Sequence, residues 1–177
     1  MLLVLALFFA NIGTYTFIFW LPSTVQRTSG RSVAFCTAFS ALPFTVALVS
    51  VVLVGRSSDL RSERKWHTAV PLALAGLFFS LSSVAGTSFP VVVLWLCATG
   101  AVLFAWTPSF WVLPTLTLGE SAAAASFGLI NSVGNFGGFV GPSVVGYLLS
   151  RGNSHAVTNL FLSGSFVVAS ALILLAR

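Results

Sequence analysis

The sequence predicts an all-α integral membrane protein of six transmembrane helices, from its scarcity of charge, its hydropathy and the spacing of its few charged residues. Of 177 residues, 57% are hydrophobic and only 6% charged, whereas a soluble domain carries about a quarter charged residues. So few charges cannot build a water-facing surface, so most of this surface meets lipid. The mean hydropathy of +1.02 agrees. The charges are Arg27, Arg31, Arg56, Asp59, Arg61, Glu63, Arg64, Lys65, Glu120, Arg151 and Arg177, and they leave uncharged runs at 1–26, 32–55, 66–119, 121–150 and 152–176.

About 20 apolar residues cross the hydrocarbon core as a helix. Four of the runs fit one crossing each. The run 66–119 needs two, with Gly86-Thr87-Ser88-Phe89-Pro90 as the turn between them. The predicted helices lie near 2–21, 33–54, 68–86, 91–114, 121–149 and 158–176, and residues 1–177 form one six-helix domain. Pro22 is expected to stop the first helix. Pro71 and Pro90 fall near helix starts, where a missing N–H costs little. Pro43, Pro108, Pro114 and Pro142 are expected to kink or break spans, which membrane helices tolerate when neighbours satisfy the freed carbonyl. A cleaved signal peptide is not expected, because the first span begins at Leu2 with no basic stretch before it and no small-residue cleavage site.

A net charge of +5 raises the question of nucleic acid, but basic residues that flank membrane helices serve to orient them. With both termini inside, the inner side holds Arg56, Arg61, Arg64, Lys65 and Arg177, against Arg27, Arg31 and Arg151 outside. This bias predicts cytoplasmic termini. Cys36 and Cys97 fall inside predicted spans and read as small apolar packing residues.

The predicted spans contain no Asp, Glu, Lys, Arg or His, so proton coupling or anion binding within the membrane would need groups from elsewhere. His67 and His155 lie in loops, too far apart in sequence to suggest a metal site. The sequence shows no nucleophile–base set, phosphate loop or metal-ligand spacing, so neither an enzyme nor a cofactor is expected. The span at 121–149 is the most polar. Its Gly134/Gly138 and Gly137/Gly141 pairs permit close helix approach. Asn131 and Asn135 share one helix face. Amides in hydrocarbon need partners, so these two point at protein or at a water-filled cavity. There they would bind a substrate carboxylate or hydroxyl, or act as interhelical glue.

The longest polar stretch is Gly55–His67. Gly55 lets one helix end lie close to its neighbour, and Asp59 could accept from a helix N-terminus or pair with Arg64. The loop reads as a charged clasp between helix ends or as a basic anchor at the membrane surface. It resembles the conserved loop G-x-x-x-D-x-x-G-x-[RK]-[RK] of the major facilitator superfamily, with Gly55, Asp59, Arg64 and Lys65 matching and Ser62 and Leu60 departing. Phe19-Trp-Leu-Pro22, Pro108-Ser-Phe-Trp-Val-Leu-Pro-Thr115 and Ile130-Asn-Ser-Val-Gly-Asn-Phe-Gly-Gly-Phe-Val-Gly-Pro142 narrow this to its anion:cation symporter family, whose bacterial members include tartrate, phthalate and sugar-acid permeases.

The resemblance is to helices seven to twelve. It implies one half of a secondary transporter for a small organic anion, in an inner membrane, that needs an N-terminal six-helix half. It implies that Trp111 faces the same central cavity as Asn131, and that Asn11 and Tyr15 on the first helix face it too. It implies that the groups for proton coupling lie largely in the other half. A non-transporting six-helix membrane protein, an assembly factor or structural subunit, is the alternative.

Overall fold

The computed structural model describes residues 1–82, 88–117 and 120–176. Its first helix, α1 (Leu2–Ser29), runs through Pro22, which corrects the expectation that this proline ends it. Proline removes a single N–H, and here the Ser23 and Thr24 hydroxyls donate to the Trp20 carbonyl at 2.8 and 2.9 Å and bind up the adjoining turn. The stop comes at Gly30, whose φ of 64° reverses the chain and lets its N–H reach the Gln26 carbonyl.

The second rod is broken in two. α2 (Val33–Phe39) and α3 (Ala41–Arg61) meet at Ser40, whose hydroxyl donates to the Cys36 carbonyl at 2.7 Å. The fourth rod repeats the device. α5 (Phe89–Leu103) and α6 (Thr107–Thr117) are separated by residues 104–106. There Trp106 Nε1 donates to the Leu103 carbonyl at 2.7 Å and the Thr107 hydroxyl to Phe104 at 2.8 Å. In both rods a proline, Pro43 or Pro108, sits in the first turn after the break, where its missing N–H is harmless.

Between these rods lies α4 (Lys65–Ser82), which carries Pro71 in its interior rather than near its start. The predicted turn at Gly86–Pro90 falls mostly outside the described residues; Ser88 precedes α5 and Pro90 lies in its first turn. α7 (Glu120–Ser150) and α8 (His155–Leu175) complete six rods, running past the predicted bounds at most ends. Among the described residues, the rods Leu2–Ser29, Val33–Arg61, Phe89–Leu116 and His155–Leu175 are by themselves long and apolar enough to cross a membrane. The other two are held in the same bundle, α7 against α1 and α4 against α8.

These two interfaces use different chemistry. Between α4 and α8, the Ser170 and Ser163 hydroxyls donate to the carbonyls of Ala69 and Gly76 at 2.8 and 2.7 Å. In hydrocarbon such bonds hold helices together because the hydroxyl has no water to turn to. Between α1 and α7 the contact is backbone on backbone. A Cβ on Gly137 or Gly141 would run into the carbonyl of Phe8 or Ile12, so close approach demands glycine there. Phe79 links the core, stacked 5.7 Å from Phe166 and edge-on at 6.1 Å to Phe17.

The up-and-down course gives the bundle two ends. Met1, the loop 62–64 and Ala176 gather at one. Arg27, Leu149 and His155 gather at the other.

Candidate functional site: an amide relay on the α1–α7 seam

Close packing of α7 on α1 brings four of the five residues singled out from the sequence into one network. Asn11 is buried, with 6% of its surface exposed. Its Nδ2 donates to the Gly134 carbonyl at 3.1 Å and to Asn135 Oδ1 at 3.2 Å. Tyr15, one turn on, donates its hydroxyl to the same oxygen at 3.3 Å. Asn135 Nδ2 then donates to Asn131 Oδ1 at 2.8 Å. The polarity is uniform: each donor points toward Asn131, and each acceptor is used by the residue before it.

The relay ends at the Asn131 NH2, which is exposed along with Asn135 and has no hydrogen-bond partner among the described residues. An NH2 offers only donors. Its complement is therefore an oxygen-rich acceptor such as a carboxylate or hydroxyl. On its own face of α7, at three- and four-residue spacing, the neighbours of Asn131 are Phe127, Gly128, Gly134 and Asn135, so the NH2 stands between one aromatic ring and two glycines.

Trp111 is not hydrogen-bonded into the relay. Its ring lies 5.8 Å from Phe127 and 5.3 Å from Phe110. Phe127, Asn131 and Asn135 follow one another at four-residue intervals on α7, so Trp111 packs one turn from Asn131 on the same stripe. The break before α6 makes this possible by redirecting the rod just ahead of Pro108.

At the Met1 end, the four loop residues also have places. Gly55 lies against α6, where a Cβ would come 3.3 Å from the Pro108 ring. Asp59 Oδ1 pairs with Arg64 Nη1 at 2.5 Å, and the same nitrogen donates to the buried Ser58 hydroxyl at 3.0 Å. Of the two partners the sequence left open for Asp59, the structure has Arg64. The helix N-terminus is served by Glu63 instead, whose carboxylate accepts from the N–H groups of Trp66 at 2.8 Å and His67 at 3.2 Å and from His67 Nδ1 at 2.8 Å. Burial alone would raise the Glu63 carboxyl, but the Trp66 N–H and the His67 ring and N–H outweigh it and hold the group below its ordinary value. Lys65 reaches across to the Leu174 carbonyl at 3.3 Å, tying α4 to the end of α8. Ser62, where the family pattern has glycine, adopts φ 50°, the left-handed backbone for which glycine is suited.

The sequence reading missed Ser58, Glu63 and Ser57, the last of which contacts His67 Nε2 at 3.0 Å. The signal for Glu63 was present: an acid directly ahead of a helix start is a capping pattern.

These features define a helical membrane bundle with a donor-lined seam and a charged loop at one end. The sequence pattern of the Major Facilitator Superfamily matches residues 1–142, and the chain belongs to that family. Two putative tartrate transporters of Agrobacterium vitis are 35% and 36% identical to it over 98% and 95% of its length. The Inner membrane transport protein RhmT of Escherichia coli (strain K12) is 35% identical over 75%. The chain spans 38% of each Agrobacterium protein and 30% of the Escherichia coli one. It thus corresponds to half of the fold, and its kinship is with transporters rather than enzymes.

Proposed function

We propose that the chain is the C-terminal six-helix half of a secondary transporter for small organic anions. Substrate would lie near the membrane midplane between this bundle and an N-terminal six-helix half, the two rocking about it. The carrying observation is the Asn131 NH2, without a partner among the described residues, at the end of a relay in which Asn11 and Tyr15 donate to Asn135 and Asn135 donates to Asn131. Asn131 then binds a substrate oxygen, Asn135, Asn11 and Tyr15 hold its orientation, and Trp111 packs the apolar wall below. The tartrate named for the Agrobacterium relatives has the oxygen-rich chemistry that such a donor suits.

The protein sits in the inner membrane with both termini in the cytoplasm, a reading supported by the bias of basic residues toward the Met1 end. Transport is proton-coupled, with the intramembrane titratable groups in the other half. Asp59, Arg64 and Lys65, with Gly55 closing on Pro108, form a clasp at the cytoplasmic end that favours one state of the moving bundle.

The test is uptake of radiolabelled tartrate by the full-length transporter. Asn131→Ala raises KM about tenfold, the worth of one hydrogen bond to a charged group, while Asn131→Gln retains part of the affinity. Unaltered KM in Asn131→Ala would remove the residue from the site.

A further inference from the structure

A second chamber lies at the end of the bundle opposite the charged loop. A cavity of about 420 Å³ opens there between α1, α5 and α8, walled in part by Trp20, Trp95 and Thr99. Arg27 and His155 stand at its exposed rim. They are far apart in sequence, and the pairing of α1 with α8 brings the guanidinium into hydrogen-bond contact with His155 Nε2. A guanidinium has donors only, so Nε2 is the acceptor and the imidazole is neutral, with its proton on Nδ1.

Among the described residues Arg27 has no counter-charge. Asp59 and Glu63 lie at the far end of the bundle, and Glu120, the remaining acid of the sequence, is the first residue of α7, which reaches the cavity near its other end, at Val145 and Leu149. The neighbouring cations are engaged with rings: Arg31 lies 5.6 Å over Phe35 and Arg151 5.3 Å over Tyr147. A guanidinium at the rim of a largely apolar chamber, satisfied only by a neutral imidazole, is poised for an anion.

We propose that this cavity binds a carboxylate of a small organic acid between Arg27 and His155, and that one proton is taken up with it. The incoming carboxylate displaces Nε2 and accepts two N–H groups from the guanidinium fork. The freed Nε2 takes a proton from water and donates it in a hydrogen bond to the second carboxylate oxygen. Without the anion, that protonation would set two cations in contact. Anion and proton therefore bind cooperatively, and the coupling is reciprocal. Among the described residues the other elements around the chamber bring no competing titratable group: α4 contributes Phe79, α7 contributes Val145 and Leu149, and α5 contributes Val92, Trp95, Leu96 and Thr99. The chamber lies on a different face of α1 from Asn11 and Tyr15, and the proposal does not rest on the amide relay.

The experiment is tartrate titration of the purified chain in detergent micelles, read by intrinsic fluorescence, for which Trp20 and Trp95 are local reporters. Measurements are made at about pH 5.5 and about pH 7.5, on either side of the ordinary histidine value. The proposal expects saturable binding that is tighter at the lower pH, by no more than about tenfold for each pH unit, as uptake of one proton allows. Arg27→Gln weakens binding about ten- to hundredfold at both pH values. Arg27→Lys retains part of it, and His155→Gln retains binding but loses the pH dependence. Circular dichroism matched to the parent shows that each variant is folded. No saturable signal in the parent, undiminished affinity in folded Arg27→Gln, or a surviving pH dependence in His155→Gln would each overturn the proposal. So would stronger displacement by anionic phospholipid than by tartrate, which would assign the cavity to a lipid headgroup. The readout is binding to this chain, whereas the amide relay is tested by transport, so either can fail alone.

Discussion

Asn11 Nδ2 and Asn135 Oδ1 lie 3.2 Å apart across the α1–α7 seam, and this bond orients everything beyond it in the relay. It exists because Gly134, Gly137 and Gly141 let the two backbones approach. The packing glycines and the polar residues of α7 are thus parts of one arrangement. Replacing either asparagine removes this bond, while Asn11 keeps the Gly134 carbonyl and Asn135 keeps Tyr15 and Asn131 as partners. The single variants Asn11→Ala and Asn135→Ala should each destabilise the bundle by about 0.5–1.5 kcal/mol for each hydrogen bond lost. In a double-mutant cycle the two should couple by about 0.5–1.5 kcal/mol, read from thermal unfolding in detergent. Additive losses would mean the bond contributes nothing.

Glycine matters by position on α7. Gly137→Ala forces a Cβ into the Phe8 carbonyl, whereas a Cβ on Gly146 meets nothing within 4 Å. Overpacking costs about 1–3 kcal/mol, so Gly137→Ala should lower the unfolding temperature. Gly146→Ala should leave it level or raise it, since alanine is the better helix former by about 1 kcal/mol. Similar behaviour of the two variants would contradict the close approach.

The six-helix fold was legible in the sequence because a bilayer rewards unbroken apolar runs, and charge spacing marks their ends. The breaks at Ser40 and Phe104–Trp106 were not. They depend on hydroxyl and indole groups bonding local carbonyls, which no apolar count registers. Pro22 misled for the same reason: a proline's effect depends on which neighbours close the adjoining turn. Asn11, Tyr15, Asn131 and Asn135 stood out as polar residues in apolar runs, but their polarity as a relay needs the register of α7 on α1. Arg27 and His155 read as unrelated loop residues until α8 returned alongside α1.

Glu63 caps α4, and its carboxyl is held below the ordinary value of 4.5. A lowered folded-state value means that this stabilisation is complete above the unfolded value and is lost as pH falls through the folded one. The stability of the parent should therefore decline below about pH 4.5, while Glu63→Gln, about 1 kcal/mol less stable at neutral pH, should lose less on acidification. Parallel pH profiles for the two proteins would contradict the cap.

Ser109 is fully buried on α6, and among the described residues its hydroxyl has no hydrogen-bond partner. An unsatisfied buried hydroxyl costs about 1–3 kcal/mol. Ser109→Ala should match or exceed the parent in thermal unfolding. A marked loss of stability would show that the hydroxyl has a partner.

The central claim is that the Asn131 face of α7 meets a water-filled, substrate-binding interior. Substituted-cysteine labelling of the full-length transporter tests it, with Cys36 and Cys97 of this half and any other native cysteines replaced. Asn131→Cys should react with a charged, membrane-impermeant thiol reagent, and tartrate should slow that reaction. Reaction only with a lipid-soluble maleimide, indifferent to tartrate, would place this face against hydrocarbon and contradict the account.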